Sequence, residues 1–424
     1  MLHGNKVASL SISRECHKML LLWKLLAFSS SSVERLYIHP EKPIEWRDES
    51  PAAHSLWQDL PSLRELSLHC VHILPNQISA PNLVHMALEH TRGRQEVSVQ
   101  SILGLLCGCP LLETLLIVHS GVRPQDLTHN HFPVSLPNLH TIELGRNEVH
   151  SGFMVYLQFP QNVAVGFREL PVTDVCGGIP STVMATMQHV LGKIDIRRIM
   201  LAIPQHLRGN NFFIRFEGLQ GSLEITAGPI GTYTTLFGSG GVLFSHSLGI
   251  EKTRELHIIG FGFHDWKWFS HGEGWFHVSA AMPNLVSISF FRCKGPHMFG
   301  PLTPIHTSSP PFPYLKHVIV LGPGPGVRGM AKARKDYGVP LKTLVVGRRP
   351  KGFVGDLEDY AGAGKVKNDY LEDYARVGEF VDDLHVGRPT EIVQWGIGNE
   401  ILNIWSTIGV PGPVSPNQNV MSLA

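Results

Sequence analysis

The sequence lacks the charge surplus that nucleic acids and anionic membranes usually require of a partner. Only 17% of its 424 residues are charged, and the formal net charge is +1 at neutral pH. A protein that follows a phosphate backbone or an anionic lipid surface usually carries a clear excess of Lys and Arg. We therefore expect neither nucleic acid nor a membrane to be its partner.

The chain also lacks paired cysteines and long apolar runs. Its six cysteines are scattered, without a C-x-x-C pair. This pattern is typical of reduced thiols and disfavours both a disulfide framework and a zinc site. The best apolar candidate, MLLLWKLLAF at 19–28, has ten residues and contains Lys24, whereas a spanning helix needs about 20. These features predict a soluble protein of the cytoplasm or nucleus that holds no metal.

What the sequence has instead is a recurring phrase. Six copies follow P-x-L-x-x-[LIMV]-x-[LIFV], among them LPSLRELSLHC at 60–70, LPNLHTIELGRN at 136–147 and MPNLVSISFFRC at 282–293. Weaker copies without the proline have their first core position at Val33, Ile196, Thr253 and Leu341. Successive copies mostly lie 26 to 32 residues apart, and the copy at Ile196 falls halfway across the one long gap. A shared spacing of this kind predicts a repeat architecture.

Each phrase predicts a short strand with one buried side. The fourth and sixth positions, such as Leu66 and Leu68, are two residues apart and therefore share a face, while the third, fifth and seventh point the other way. Helical patterning fills the gaps at 15–28, 98–108, 181–193 and 264–281. A unit this short cannot bury its apolar side alone, so the copies are expected to stack, with parallel strands on a concave face and helices on a convex face.

The phrase resembles the leucine-rich repeat, L-x-x-L-x-L-x-x-N/C. Only Asn147 and Cys293 keep its final polar position, so the repeats are irregular. The P-N-L openings, as at 81–83, are similar to the substrate-binding part of fungal F-box proteins. This resemblance implies an α/β solenoid that recognises a substrate protein for ubiquitin ligation. No F-box is visible ahead of residue 15, so cullin–Skp components are expected partners only if an F-box precedes this chain; otherwise the protein is a stand-alone scaffold.

Two regions depart from the period. Within the predicted solenoid, 1–347, the stretch at about 203–250 contains FFIRFEGLQGSLEIT, which alternates as strands do, and a glycine-rich segment. We expect a β-rich excursion there, such as a hairpin. Beyond it, 348–424 contains two amphipathic segments, 367–387 and 391–409, which predict a C-terminal helical cap over the last repeat, followed by a tail.

A glycine-rich turn, in contrast to the repeats, resembles the dinucleotide-binding loop of an enzyme. GPGVRG at 324–329 fits G-x-G-x-x-G between a strand and a possible helix, and Arg348 and Arg349 follow the next strand, where an NADP enzyme holds a 2′-phosphate. The turn 322–329 is therefore a candidate dinucleotide site. However, it also joins two repeat phrases, and Pro323 and Pro325 remove two amide donors from it. We interpret it as a repeat turn and expect no cofactor.

A second motif is similar to a hydrolase signature. FSHSLG at 244–249 approaches the nucleophile elbow G-x-S-x-G, with Ser247 at the nucleophile position. Ser245 replaces the first glycine, in a turn where a side chain usually clashes. We interpret this stretch as a loop at the end of the excursion and predict a noncatalytic protein.

Histidines recur near the predicted strand ends, at His39, His69, His90 and His119. The first two fall on the seventh position of the phrase and the last two on the eighth, so we expect them on different faces. A contact between two histidines of neighbouring strands is possible because strands lie about 4.8 Å apart. A metal site also needs a further ligand, which the sequence does not indicate. We interpret these histidines as polar surface residues.

The outward-pointing strand positions of stacked repeats form one continuous surface. In the first half this surface is polar and of mixed charge, and we predict that it binds a protein partner. Its residues are Arg35, Tyr37, His39, Glu65, Ser67, His69, His85, Glu89 and Glu143. In the second half the equivalent positions are mostly apolar: His257, Ile259, Phe291, Ile319, Leu321 and Val345. Such a row is either covered by the excursion or the C-terminal segment, or it binds a partner.

Overall fold

The chain forms two compact units. A computed structural model describes residues 8–13, 32–39, 60–70, 80–91, 97–122, 132–170, 181–202, 212–227, 248–259, 278–291, 293, 299–303, 310–321, 326–347 and 376–387. The first unit comprises Met1–Arg197, Arg215–Gly228 and Ser247–Gly249. The second comprises Arg198–Ile214, Pro229–His246 and Ile250–Ala424.

Short strands dominate the described residues. They are β1 (Ser9–Ser13), β2 (Arg35–His39), β3 (Glu65–His69), β4 (His85–Glu89), β5 (Thr114–Val118), β6 (Val134–Ser135), β7 (Thr141–Leu144), β8 (Leu157–Gln158), β9 (Ala164–Leu170), β10 (Ile196–Ala202), β11 (Phe212–Gly218), β12 (Ser222–Ala227), β13 (Glu255–Ile259), β14 (Ser287–Phe291), β15 (His317–Leu321), β16 (Leu341–Gly347) and β17 (Val381–Gly387). Together with four α-helices in the described part of the chain, they give a mixed α/β fold with a large, mostly parallel sheet, as the sequence predicts at the level of fold class.

The strands of the first unit pair in parallel, in the order β1-β2-β3-β4-β5-β7-β9-β12. Their register places like positions of the repeated phrase opposite one another. The fourth positions Leu36, Leu66, Met86, Leu115 and Ile142 align from strand to strand, and all five are buried. The alternation predicted for each phrase is therefore confirmed in these strands.

The second unit repeats this arrangement in the order β10-β13-β14-β15-β16-β17, again with parallel pairing. Ile199, Leu256, Ile288, Val318 and Leu344 occupy equivalent positions and are buried. The weak copy at Ile196 therefore does form a strand of the sheet. Its alignment with β13 confirms that the phrase continues through the long gap.

The repeated phrase extends further at both ends than the sequence analysis indicated. The strand β1 pairs with β2, placing Leu10 opposite Leu36, and so precedes Val33, where we placed the first copy of the phrase. At the other end, the helix expected over 367–387 is wrong for its last part. Residues 381–387 form β17, which pairs with β16 and sets Val381 opposite Leu341.

The reason for the second error is visible in the sequence. VDDLHV at 381–386 has the spacing V-x-x-L-x-V of the phrase, but it begins 40 residues after Leu341 (381 minus 341) and lacks a proline opening. We did not recognise this copy because its spacing is longer than that of the others. The acidic pair Asp382–Asp383 also made the segment resemble an amphipathic helix. Just before β17, Val377–Glu379 forms one turn of 3-10 helix, and the rest of the predicted cap, including 391–409, lies outside the described residues.

The α-helices of the described chain are α1 (Val99–Cys107), α2 (Arg146–His150), α3 (Ser181–Leu191) and α4 (Val327–Asp336). The first and third confirm the helices predicted at 98–108 and 181–193. Ser98 caps α1, because its Oγ accepts a hydrogen bond of 3.1 Å from the backbone N–H of Ser101. The predicted helix at 15–28 lies outside the described residues, as does 264–281 except for 278–281. None of the helices described is long and apolar enough to cross a membrane.

In its first part, the predicted excursion is a hairpin whose two strands belong to the large sheet itself. The strands β11 and β12 are neighbours in the sheet and are joined by residues 219–221, where the N–H of Gly218 donates to the carbonyl of Gly221 at 2.9 Å. This is a hairpin, as the alternating sequence indicated. A side chain on Gly221 would bring its Cβ within 2.4 Å of the Gln161 carbonyl oxygen, so the close approach of the two backbones requires glycine. The glycine-rich segment that follows lies outside the described residues.

Candidate functional site

All nine residues of the predicted partner-binding face lie on four strands of the first unit: β2, β3, β4 and β7. The burial of these strands alternates, with the core side buried and the other side exposed or half-buried. The nine residues all fall on the more exposed side. They are Arg35, Tyr37, His39, Glu65, Ser67, His69, His85, Glu89 and Glu143. We call this side of the first unit the polar face.

Opposite charges on the polar face pair across neighbouring strands. Arg35 Nε lies 3.1 Å from a carboxylate oxygen of Glu65, and the hydroxyl of Tyr37 donates a hydrogen bond to the same carboxylate. That bond, together with burial and the Glu65 charge, raises the pKa of Tyr37. Arg168 of β9 pairs in the same way with Glu143 of β7. Exposed ion pairs of this kind stabilise a fold by only about 0–1 kcal/mol. These side chains can therefore exchange their present partners for charged groups of a bound protein at little cost.

The four histidines near the strand ends form a continuous row. Ring centroids are 5.9 Å apart for His39 and His69, 5.2 Å for His69 and His90, and 4.6 Å for His90 and His119. The outer pairs are stacked, with ring planes 9° and 25° apart, and the middle pair is edge-to-face. We call these four residues the histidine row. The expectation that they lie on different faces is wrong.

A backbone irregularity explains the error. His90 and His119 directly follow β4 and β5 and have left-handed backbones, with φ of +50° and +54°; Cys70 after β3 is similar, at +52°. Alternation of side chains holds only while the backbone stays extended, so counting positions fails at the eighth. The backbone N–H of His90 still donates to Val118 O at 2.9 Å, which keeps the pairing of neighbouring strands. His is among the residues enriched in this conformation, but it is too weak a signal to predict it.

Two carboxylates accompany the histidine row. His69 Nδ1 lies 3.6 Å from Glu89 Oε2, and His119 Nε2 lies 3.6 Å from Glu169 Oε2. His39 Nε2 is 2.9 Å from the hydroxyl of Ser67. Within the described residues, no three His, Cys, Asp or Glu side chains are arranged so that they could hold a metal ion. The row is a line of polar aromatic rings, and two of the four pair with a carboxylate.

The equivalent face of the second unit is buried. Met200, Ala202, Ile259, Phe291, Ile319 and Val345 form one hydrophobic cluster, each at most 7% exposed. Phe213 of β11 packs against this cluster. We expected the apolar row either to be covered by the chain itself or to bind a partner. These positions are covered by the chain itself, and Phe213 of the predicted excursion is one of the residues that cover them. The side chain of Leu321 lies outside the description.

Polar groups at the edge of this covered face are closely coupled. Glu255 accepts a hydrogen bond of 2.7 Å from Arg198 Nε and lies 3.7 Å from His257 Nε2. Its interactions with His257 and Arg198 lower the pKa of Glu255 to about 2, although burial acts in the opposite direction. Deeper in the face, Ser289 Oγ and His257 Nδ1 are buried without a hydrogen-bond partner. Ser289 and His257 are therefore shielded from solvent, whereas Glu255 at the edge is half-buried.

The glycine-rich turn joins β15 to α4, and β16 follows α4 and pairs with β15 in parallel. Gly326 caps α4 with a left-handed φ of +90°, which explains that glycine without a ligand. In the dinucleotide fingerprint the third glycine permits close packing of helix on strand. A Cβ on Gly329 would meet no described atom within 4 Å, so that requirement does not apply. Residues 322–325, Arg348, Arg349, Ser245 and Ser247 lie outside the described residues.

A buried guanidinium, that of Arg334, connects α4 to neighbouring backbone segments of the second unit. Arg334 of α4 is fully buried and donates hydrogen bonds to the backbone carbonyls of Leu302, Pro311 and Phe312, at 3.3, 3.0 and 3.0 Å. Burial lowers the pKa of Arg334 to about 10. This role could not be predicted from the sequence, because the position falls in a basic stretch typical of an exposed helix face.

No family model, curated protein or solved structure gives a significant match to this chain.

Proposed function

We propose that this protein is a noncatalytic recognition module: an irregular leucine-rich-repeat solenoid whose polar face binds another protein. Recurring phrases that pair in parallel, with like positions in register, support the repeat architecture. In such an architecture the outward-pointing strand positions form an extended binding surface. The polar face is that surface in the first unit.

The contrast between the two units carries the proposal. The fifth and seventh positions of the phrase are exposed or half-buried in β2, β3 and β4, whereas those of the second unit form a buried, mostly apolar cluster. At the seventh position, for example, His39 is exposed, whereas Phe291 is 1% exposed. A strand face covered by its own chain has no room for a partner, while the polar face offers charges and aromatic groups at its surface. Recognition is therefore assigned to the first unit.

The resemblance to fungal F-box proteins supports a narrower version, in which the partner is a substrate for ubiquitin ligation. Asn82, in one of the P-N-L openings, donates its side-chain amide to the carbonyl of Pro61 at 2.7 Å, and Asn284 bonds in the same way to Glu251 at 2.9 Å. These bonds explain the recurring asparagine as a link between successive repeats. The narrower version depends on the family resemblance rather than on these contacts.

A matched pair of charge reversals tests the proposal. Arg35 lies on the polar face, and Arg64 is exposed at the second position of its phrase, off that face. Affinity purification from the source cell should recover a partner with wild type and with Arg64→Glu, and lose it with Arg35→Glu. Equal recovery with both variants would contradict binding at the polar face. Absence of cullin–Skp components among the recovered proteins would remove the ligase version alone.

A further inference from the structure

We propose that the histidine row binds an extended acidic segment of a partner protein, with affinity that rises as the pH falls from about 7.5 to about 6. The inference rests on the proposed function, because it assigns a partner chemistry to the same polar face. It depends on the contacts, charges and spacing of the row.

The charge around the row changes sign with protonation. Imidazole is the side chain that ordinarily gains its proton between pH 5 and 8. The carboxylates in contact with the row are Glu89, against His69, and Glu169 of β9, against His119. Cys70 follows His69 and lies near Glu89, and Arg168, next to Glu169, is paired with Glu143. Once protonated rings outnumber these two carboxylates, the row becomes a net cationic strip on a chain of nearly neutral charge.

Contact between the rings couples protonation to binding. Two protonated imidazoles at the 4.6 Å separation of His90 and His119 repel each other. A carboxylate that lies against the edges of both rings and accepts a hydrogen bond from each offsets that repulsion. Proton uptake and carboxylate binding must then favour one another, because linkage between two ligands is reciprocal.

The length of the histidine row determines which peptide conformation and which spacing of acidic residues fit it. It crosses four neighbouring strands, which is a distance of about 14 Å at the usual strand separation. An extended chain places alternate side chains about 6.7 Å apart on one side, so three acidic residues at alternate positions span about 13 Å. The preferred ligand is therefore an extended segment in which Asp or Glu occupies every second position.

The test uses the full chain and a fluorescent peptide of alternating Glu and Ser. Fluorescence anisotropy at low salt should show binding at least about tenfold tighter near pH 6 than near pH 7.5. The matched Gln–Ser peptide should bind weakly at both pH values. Variants His90→Asn and His119→Asn, combined, should abolish the pH dependence; Asn tolerates the left-handed backbone at both positions. His140→Asn, at an exposed position off the row, should behave as wild type.

Three results would overturn the inference: equal affinity at the two pH values, equal affinity for the Gln–Ser peptide, or unchanged binding by the double variant with wild-type circular dichroism. Loss of peptide binding on addition of a chelator would also overturn it, since the row would then act through a metal ion. If any of these occurs while Arg35→Glu still loses a cellular partner, the proposed function stands and the acidic ligand does not.

Discussion

The buried carboxylate of Glu148 accepts two hydrogen bonds from Ser120, one from its backbone N–H and one from its hydroxyl, both 2.8 Å long. The two residues are 28 positions apart, which is one repeat. Ser120 occupies the ninth position of its phrase, where the leucine-rich consensus has a polar residue. Glu148 thus links the two repeats, while its neighbour Asn147, which keeps the polar position of the consensus, is half-buried in α2.

Loss of the Ser120 hydroxyl should destabilise the first unit. Ser120→Ala removes one hydrogen bond to a buried carboxylate, whose other oxygen has no partner, and we expect a loss of about 1.5–3 kcal/mol in the free energy of unfolding. Urea denaturation followed by circular dichroism measures it. Ser135→Ala, at an exposed position of β6, is the control and should change stability by less than about 0.5 kcal/mol. Equal effects of the two variants would mean that the link is energetically irrelevant.

A buried thiol has the corresponding role in the second unit. Cys293 Sγ lies 3.3 Å from the carbonyl of Ile258 in the preceding repeat, at the same ninth position. Cys293 is one of the two residues that keep the polar ninth position of the consensus, and its thiol connects two successive repeats.

Arg334 should be the most sensitive position of α4. Replacing it by Met leaves three backbone carbonyls without their donor, and we expect a loss of about 3 kcal/mol or more in the free energy of unfolding. Lys332→Met, at an exposed position of the same helix, controls for the change of charge. Thermal denaturation of both variants is the measurement. A wild-type melting temperature for Arg334→Met would show that the guanidinium does not hold these segments together.

The ion pair at Glu255 should make stability depend on pH in the acid range. Its folded pKa of about 2 is below the ordinary value of 4.5, so the folded state favours the carboxylate. The contribution is complete above about pH 4.5 and disappears as the pH falls towards 2. Wild type should exceed Glu255→Gln in stability at neutral pH, and the difference should shrink through this window. A difference independent of pH would contradict the assignment.

Truncation of an apolar side chain should destabilise the protein more on the buried strand face of the second unit than on the polar face of the first. Phe291 is 1% exposed in the cluster of the second unit, and Phe291→Ala should cost about 3–5 kcal/mol. Leu116 is half-buried on the polar face of the first unit, and Leu116→Ala should cost about 1 kcal/mol. Urea midpoints of both variants against wild type measure this contrast. Similar losses would mean that the polar face is covered as well.

Much of the sheet could be predicted from the sequence because parallel pairing repeats one simple constraint. Each strand must place the same two apolar positions on the core side, so Leu66 and Ile288 are recognisable although they lie far apart in the chain. The copy at Ile196 was recognised from its apolar pattern, and its position halfway across the long gap supported it. The strand β17 was missed because its spacing from Leu341 is 40 residues, and spacing had been the deciding criterion.

The histidine row could not be predicted for a different reason. Its geometry depends on the left-handed backbones of His90 and His119. That conformation is usually predicted from a Gly or Asn, and neither position has one. Position counting then assigned His90 and His119 to the wrong side. The pairing of Glu148 with Ser120 was missed in the same way, because it depends on where a helix begins after Gly145. In both cases a local change of backbone direction decided which side chains meet.

Photo-crosslinking in the source cell tests the recognition assignment most directly. A benzophenone amino acid replaces Tyr37, on the polar face, or Tyr314, which is 59% exposed in the second unit. Irradiation should produce a covalent adduct with another protein at position 37 and none at position 314. Adducts at both positions, or only at 314, would contradict binding at the polar face.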